Sequence, residues 1–195
     1  MTKGEQTKQF IIEQAAPIFN TKGIAATSMS DLMESTKLSK GSLYVHFENK
    51  DILACAAVDY NMKILKEKVA TAINSFTNPK DKLFAYINLF NNPLEPMVVG
   101  GCPILNFGSE ADDTNETVKL KVNKVINLSQ EIIAEIIQEG INAGIFKPTW
   151  VAAEFATIMF AMIEGGIMIS RMAGNNSKIE VISVYLKKLI SDQVV

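Results

Sequence analysis

The sequence predicts an all-α protein of about nine helices, three of them in the first fifty residues and the rest in a larger helical part that follows. Three observations carry this. Apolar residues, 48% of the chain, return at intervals of three and four through the long segments, the period of a helix that buries one side. No stretch alternates apolar and polar residues as a half-buried strand does. Glycine, proline and asparagine gather mostly at the ends of the periodic segments, where they mark stops and starts. A chain of 195 residues buries a sizeable core without disulfides or metal. Cys55 and Cys102 stand far apart with no CxxC or Cys/His spacing, which argues against a zinc site and suits a reducing compartment.

The first helix is expected from about Glu5 to Thr21, with Phe10, Ile11, Ala15, Ile18 and Phe19 on one side and Gly23 as its stop. Pro17 removes one backbone donor, so a bend is expected there. Thr27 or Ser28 caps a second helix, which ends near Thr36 and turns Met29, Leu32 and Met33 inward. Ser39 caps a third, from Lys40 to Val45, after a turn of two or three residues. Asn49 opens a long fourth helix reaching about Phe76, its buried side marked by Ile52, Leu53, Ala56, Met62, Leu65 and Val69.

A fifth helix follows from Lys80 to Asn91, and the stretch from Asn91 to Pro103, with three prolines and two glycines, is a loop. A short sixth helix spans Ile104 to about Glu110. The seventh runs from Glu116 to Ala143 on a stripe of Val118, Val122, Val125, Ile132 and Ile136, and Gly144 stops it. The eighth, Trp150 to Met172, is the most apolar, yet Glu154, Glu164 and Arg171 interrupt it, so it reads as a buried helix rather than a membrane span. A ninth from Lys178 to Ile190 repeats Ile179, Ile182, Leu186 and Leu189. The N-terminus lacks the basic-then-apolar pattern of a secretory signal, so the expected location is cytoplasmic.

The chemistry concentrates in LSKGSLYVHFENK, residues 38–50, which holds the only histidine. Ser39, Lys40, Gly41 and Ser42 put hydroxyls, a cation and bare backbone N–H groups at a helix start, a surface suited to phosphate. Tyr44, Val45 and His46 follow within reach of base edges, while Leu43 and Phe47 anchor the helix in the core. Thr27 and Ser28 can bring a second helix start to a phosphate, and Lys50 adds a cation. Charge alone is a weak indicator: residues 1–50 sum to +1 and the remainder to −3. No arginine precedes Arg171, so the bidentate guanine contact is unavailable to this region and two half-sites are needed for specificity.

These residues resemble the TetR-like bacterial repressors: Gly23, Thr27-Ser28, Asp31-Leu32, Ser39-Lys40-Gly41-Ser42-Leu43-Tyr44, His46-Phe47 and Lys50 match the pattern of that family's first fifty residues. Lys37 stands where the family often has glycine, so either the lysine takes a left-handed conformation or the turn differs slightly, and Met33 stands where the family has a small residue. The resemblance implies a helix-turn-helix DNA-binding domain over 1–50. Over 51–195 it implies a helical domain that binds a small effector and dimerises through the last two long helices. The expected partners are a double-stranded DNA operator, an apolar small molecule and a second copy of the chain, with no cofactor, metal or membrane.

For the effector, Met62, Phe84, Ile87, Phe90, Met97, Cys102, Leu105, Phe107, Met159 and Met162 are the adaptable apolar candidates. In the eighth helix Phe155, Ile158, Met159, Met162 and Ile163 form a broad apolar surface, and Gly165-Gly166 cost stability unless close helix approach repays it. GGCPILNFGSEADD, 100–113, places Cys102 before a helix start, which leaves open an electrophile- or redox-responsive repressor, as in one branch of the family. Glu110, Asp112 and Asp113 read as helix-capping acids. An enzyme is not expected, since there is no nucleophile–base pair, phosphate loop or metal constellation. A helical ligand-binding module without DNA binding is the remaining alternative.

Overall fold

The computed structural model describes all 195 residues, Met1–Val195. Nine α-helices follow one another: α1 (Lys3–Lys22), α2 (Met29–Thr36), α3 (Lys40–His46), α4 (Lys50–Asn74), α5 (Pro79–Leu89), α6 (Pro103–Ala111), α7 (Glu116–Asn142), α8 (Ala152–Ala173) and α9 (Ser177–Ser191). No strand forms; a single isolated bridge joins Phe146 to Val194. The expected helix ends hold to within two or three residues because the chain supplies its own caps. Thr2, Ser28, Ser39 and Asn78 each accept an N–H of the first turn they precede, and the Asn49 and Asn115 carboxamides do the same for α4 and α7. α1 continues through Pro17.

Two compact units divide the chain. The first comprises Met1–Leu65 and Met97–Asn123, the second Lys66–Pro96 and Lys124–Val195. In the first, α1 packs on α2, α3 and α6 around Ile11, Ala15, Phe19, Leu32, Leu43, Phe47, Leu53 and Phe107, all buried. Asn61 ties α4 to α1 by donating to the Ala16 carbonyl at 3.0 Å. At the end of α2, Lys37 takes φ 58°, ψ 24°, the left-handed one of the two expected alternatives, and it is the one non-glycine residue with positive φ. That geometry costs roughly 1–2 kcal/mol for a residue with a Cβ.

In the second unit α9 lies along α8 and against α5. Gly166 makes the close α8–α9 approach possible: a Cβ there would sit 2.6 Å from Ile179 Cδ1 and 2.9 Å from Ile182 Cδ1. Ser170 of α8 completes the joint by accepting the free Ile179 N–H of α9 at 2.9 Å. By length and composition α8 could cross a membrane, but one side of it, including Phe155, Met159, Ile163, Glu164 and Ser170, is buried inside this unit. The C-terminus is stitched to the turn after α7, Lys147 N–H donating to Gln193 O at 2.9 Å and Val195 N–H to Ile145 O at 3.1 Å.

Two apolar residues expected inside are outside. Phe10 and Ile52 are 42% and 49% exposed. Each flanks a stripe whose centre is one residue away, at Ile11 and Leu53, both buried. A 3.6-residue period defines the middle of a buried face more sharply than its edges.

Candidate nucleic-acid interface

α3 has two unlike sides. Leu43, and Phe47 just past the helix end, are buried, whereas Ser39, Lys40, Gly41, Tyr44 and Val45 face outward, Val45 at 80% exposure. Ser42 and His46 lie half-buried at the margins. The Ser39 hydroxyl accepts the Ser42 N–H at 3.2 Å and so starts the helix. The Lys40 ammonium lies 5.9 Å from the centre of the Tyr44 ring, one turn on, so cation and aromatic form one outward patch. Gly41 has no internal reason to be glycine: a Cβ there would meet only Ser39 Oγ, at 4.0 Å. Alanine would favour the helix by about 1 kcal/mol, so packing within the chain does not account for the glycine.

α2 opens beside this patch. Ser28 and Asp31 form a reciprocal cap, Asp31 N–H to Ser28 Oγ at 3.2 Å and Ser28 N–H to Asp31 Oδ2 at 2.9 Å. Lys22 donates to Asp31 Oδ1 at 2.6 Å. That bond, foremost, and those from Ser28 lower the Asp31 carboxyl from its ordinary 3.8 to about 2.

Two residues expected at the phosphate turn inward instead. Thr27 is buried, and its hydroxyl donates to the Gly23 carbonyl at 2.6 Å. The Lys50 ammonium donates to the carbonyls of Ile24 at 2.8 Å and Thr27 at 3.0 Å, with a longer contact to Ala25 at 3.5 Å. The irregular turn between α1 and α2 exposes carbonyls that need donors, and these two side chains supply them. Sequence reasoning also missed Asn106 and Glu110 of α6, which reach the same turn and the end of α1. The signal for them is faint: two polar residues spaced four apart in a short helix of mostly apolar and small residues.

The ten candidates for effector contact divide between the two units. Met62, Cys102 and Phe107 are buried and Met97 and Leu105 half-buried in the first; Ile87, Phe90 and Met159 are buried and Phe84 and Met162 half-buried in the second. Phe84 is flanked by the Lys80 and Lys187 ammonium groups at 5.4 and 5.8 Å from its ring centre. Cys102 is the residue preceding α6 but gives it no side-chain cap. Neither cysteine is in a disulfide, and burial, ahead of the opposing effect of Lys121, pushes the Cys55 thiol up.

Residues 11–57 match the family model for bacterial regulatory proteins of the tetR family, and residues 79–185 match that for the tetracyclin repressor-like C-terminal domain. The chain belongs to the TetR family. Among solved structures, a TetR-family transcriptional regulator from Cytophaga hutchinsonii is 38% identical, with a TM-score of 0.95 over 100% of this chain and 98% of that one. Another from Chloroflexus aurantiacus is 36% identical, with a TM-score of 0.94 over the same shares. The HTH-type transcriptional regulator LmrA of Bacillus subtilis is 24% identical over 94% of this chain and 96% of its own length. TetR-family membership makes α2 and α3 the helix-turn-helix of a transcription regulator, with α3 in the position of the helix that enters the groove.

Proposed function

We propose that this chain is a homodimeric, ligand-responsive repressor that leaves a palindromic operator when a small apolar effector binds. The observation that carries the reading is the outward side of α3, where Ser39, Lys40, Gly41, Tyr44 and Val45 make a small-headed, cationic surface with nothing of the chain packed over it. In this reading Ser28, Ser39, Lys40, Gly41 and His46 position the sugar–phosphate backbone, and Ser42, Tyr44 and Val45 read base edges. Thr27 and Lys50 act indirectly, by holding the turn that presents Ser28.

Dimerisation is supported by a second surface. On α8, Ile158, Ala161, Met168, Ile169 and Met172 are exposed along one side, and on α9 so are Val181, Val184 and Tyr185, with Met172 at 81% and Val184 at 70%. Large apolar residues repeated at three and four on adjoining helices are an interface pattern rather than a solvated one. A two-fold pairing through these helices supplies the two heads a palindrome requires. The effector domain is then 51–195, α4 being the covalent route from it to the head at 1–50. Release requires only that the effector prefer the state with the wrong head spacing. Such a regulator works in the cytoplasm, where its operator lies.

Selection of bound duplexes from a random pool tests the proposal. The expected product is an inverted repeat with half-sites about one helical turn, roughly 34 Å, or a multiple of it apart. Failure to enrich any sequence above nonspecific background at moderate salt defeats it.

A further inference from the structure

The stretch from Gly100 to Glu110 has a purpose that apolar lining does not explain. Glu110, in the last turn of α6, accepts the backbone N–H of Ile24 on Oε2 at 2.8 Å and that of Ala25 on Oε1 at 2.7 Å. The capping role for α7 expected of this acid is therefore not the one it has. One turn earlier, Asn106 donates through Nδ2 to the Asn20 carbonyl at 2.8 Å and, at 3.2 Å, to Asn20 Oδ1 and the Gly100 carbonyl. Asn20, at the end of α1 and 2% exposed, donates in turn to the carbonyls of Val99 at 2.7 Å and Gly101 at 3.1 Å. Space is exhausted on both sides. A Cβ at Gly23 would lie 2.9 Å from Glu110 Oε2, and one at Gly100 would lie 2.9 Å from the Asn20 backbone.

The five-residue turn Gly23–Thr27 is thus gripped by opposite charges, each meeting the backbone polarity it suits: a carboxylate on its N–H groups and the Lys50 ammonium on its carbonyls. Ser28, the N-cap of α2, follows directly. We infer that Glu110 is a positioning residue for DNA binding. Through the amides of Ile24 and Ala25, α6 fixes where the start of α2 stands beside α3, and Asn106 locks the same helix to the end of α1. Operator affinity consequently depends on a carboxylate outside the helix-turn-helix. The inference rests on the DNA-binding reading above.

The test compares the full-length wild type with Glu110→Ala and Glu110→Gln on the duplex selected by the wild type, alongside residue-resolved amide exchange and thermal melting. Glu110→Ala is expected to raise the operator Kd by about tenfold. It should leave the salt dependence of binding unchanged, because no phosphate contact is removed. The Ile24 and Ala25 amides should exchange faster while those of Leu43 and Phe47 keep their protection. Glu110→Gln keeps one acceptor oxygen and should fall between the two, and it carries the same test if the alanine variant does not fold. A loss of affinity that merely tracks a lower melting temperature, with exchange raised throughout α1–α3, overturns the inference in favour of general destabilisation. Wild-type affinity with wild-type exchange at Ile24 and Ala25 overturns it outright. A wild type that selects no duplex at all defeats the DNA-binding reading instead, a result visible before any variant is made.

Discussion

The outward side of α3 and the outward side of α8 and α9 are both unpacked within one chain, and they differ in chemistry. The first is small, hydroxylated and cationic around Ser39, Lys40 and Gly41; the second is broad and apolar around Met168, Met172, Val181 and Val184. Each holds a glycine whose Cβ would find open space or a single distant atom, Gly41 on α3 and Gly165 on α8. Helical glycines cost about 1 kcal/mol against alanine, and neither position recovers that inside the chain. Exposure therefore has two meanings in the proposed reading, which assigns each surface the cover its chemistry suits: a hydrated polyanion for the first, another apolar protein surface for the second.

The largest effect is expected on the apolar side. Val184→Asp places a carboxylate in the middle of the proposed interface, where pairing would strip it of water. The dimer should weaken by at least about 100-fold, equivalent to roughly 2.7 kcal/mol, by sedimentation equilibrium, while the far-UV spectrum of the separated chain stays helical. A dimer of undiminished strength breaks the comparison at once, because the exposed stripe would then have no partner of its own kind.

Next in size come the glycines. Gly166→Ala drives a methyl group into Ile179 and Ile182 and should cost about 1–3 kcal/mol of stability by overpacking. Its neighbour Gly165→Ala should leave the fold as stable or more so and weaken only the dimer. Gly41→Ala should likewise leave stability unchanged or raised and weaken only DNA binding. Chemical denaturation, sedimentation and gel-shift titration separate the three, and a Gly41→Ala protein that binds duplex as wild type does would remove the reason given for the small residue.

Smaller differences separate the roles within α3. Lys40→Ala should weaken binding uniformly across sequences and lower the salt slope by about 1, whereas Tyr44→Ala should shift sequence preference at one or two base pairs by about 1–3 kcal/mol. Identical sequence profiles from the two variants contradict the division between backbone positioning and base reading.

Much of this architecture was legible because it is written locally. Ser28, Ser39 and Asn49 as caps, and Gly23 and Gly144 as stops, locate helix ends with information contained within a turn or two. The left-handed Lys37, one of two readings of its turn, was suggested by the glycine that the resembled family often has there, and the structure takes it with φ 58°. What stayed hidden depends on distant residues. Whether Ile158 faces the core or a second chain is invisible to periodicity, since both demand an apolar side chain. The inward turn of Lys50 depends on carbonyls at Ile24 and Thr27, 26 and 23 residues away, and that of Glu110 on amides 86 and 85 residues away. A lysine in a DNA-binding motif is read first as a phosphate ligand, and only the fold reveals that backbone carbonyls have already claimed it.

The smallest expected effect uses pH to separate the two surfaces. Asp31 is held at about 2 by Lys22 and Ser28, below its ordinary value, so its contribution to the start of α2 is complete above about pH 4 and is lost as pH falls through about 2. The side chains of that stripe, Ile158, Ala161, Met168, Ile169 and Met172 of α8 with Val181, Val184 and Tyr185 of α9, include no carboxylate, so the apolar contact itself should not respond over that acid interval. Lys22→Met should raise the Asp31 carboxyl toward 3.8, as read by carbon-13 carboxyl titration, and move the acid loss of Asp31 amide protection to higher pH. Because the Ser28 bonds survive in that variant, the return should be incomplete. An Asp31 titration unmoved by the loss of Lys22 would mean that the cap alone, and not the charge pair across the turn, holds the start of α2.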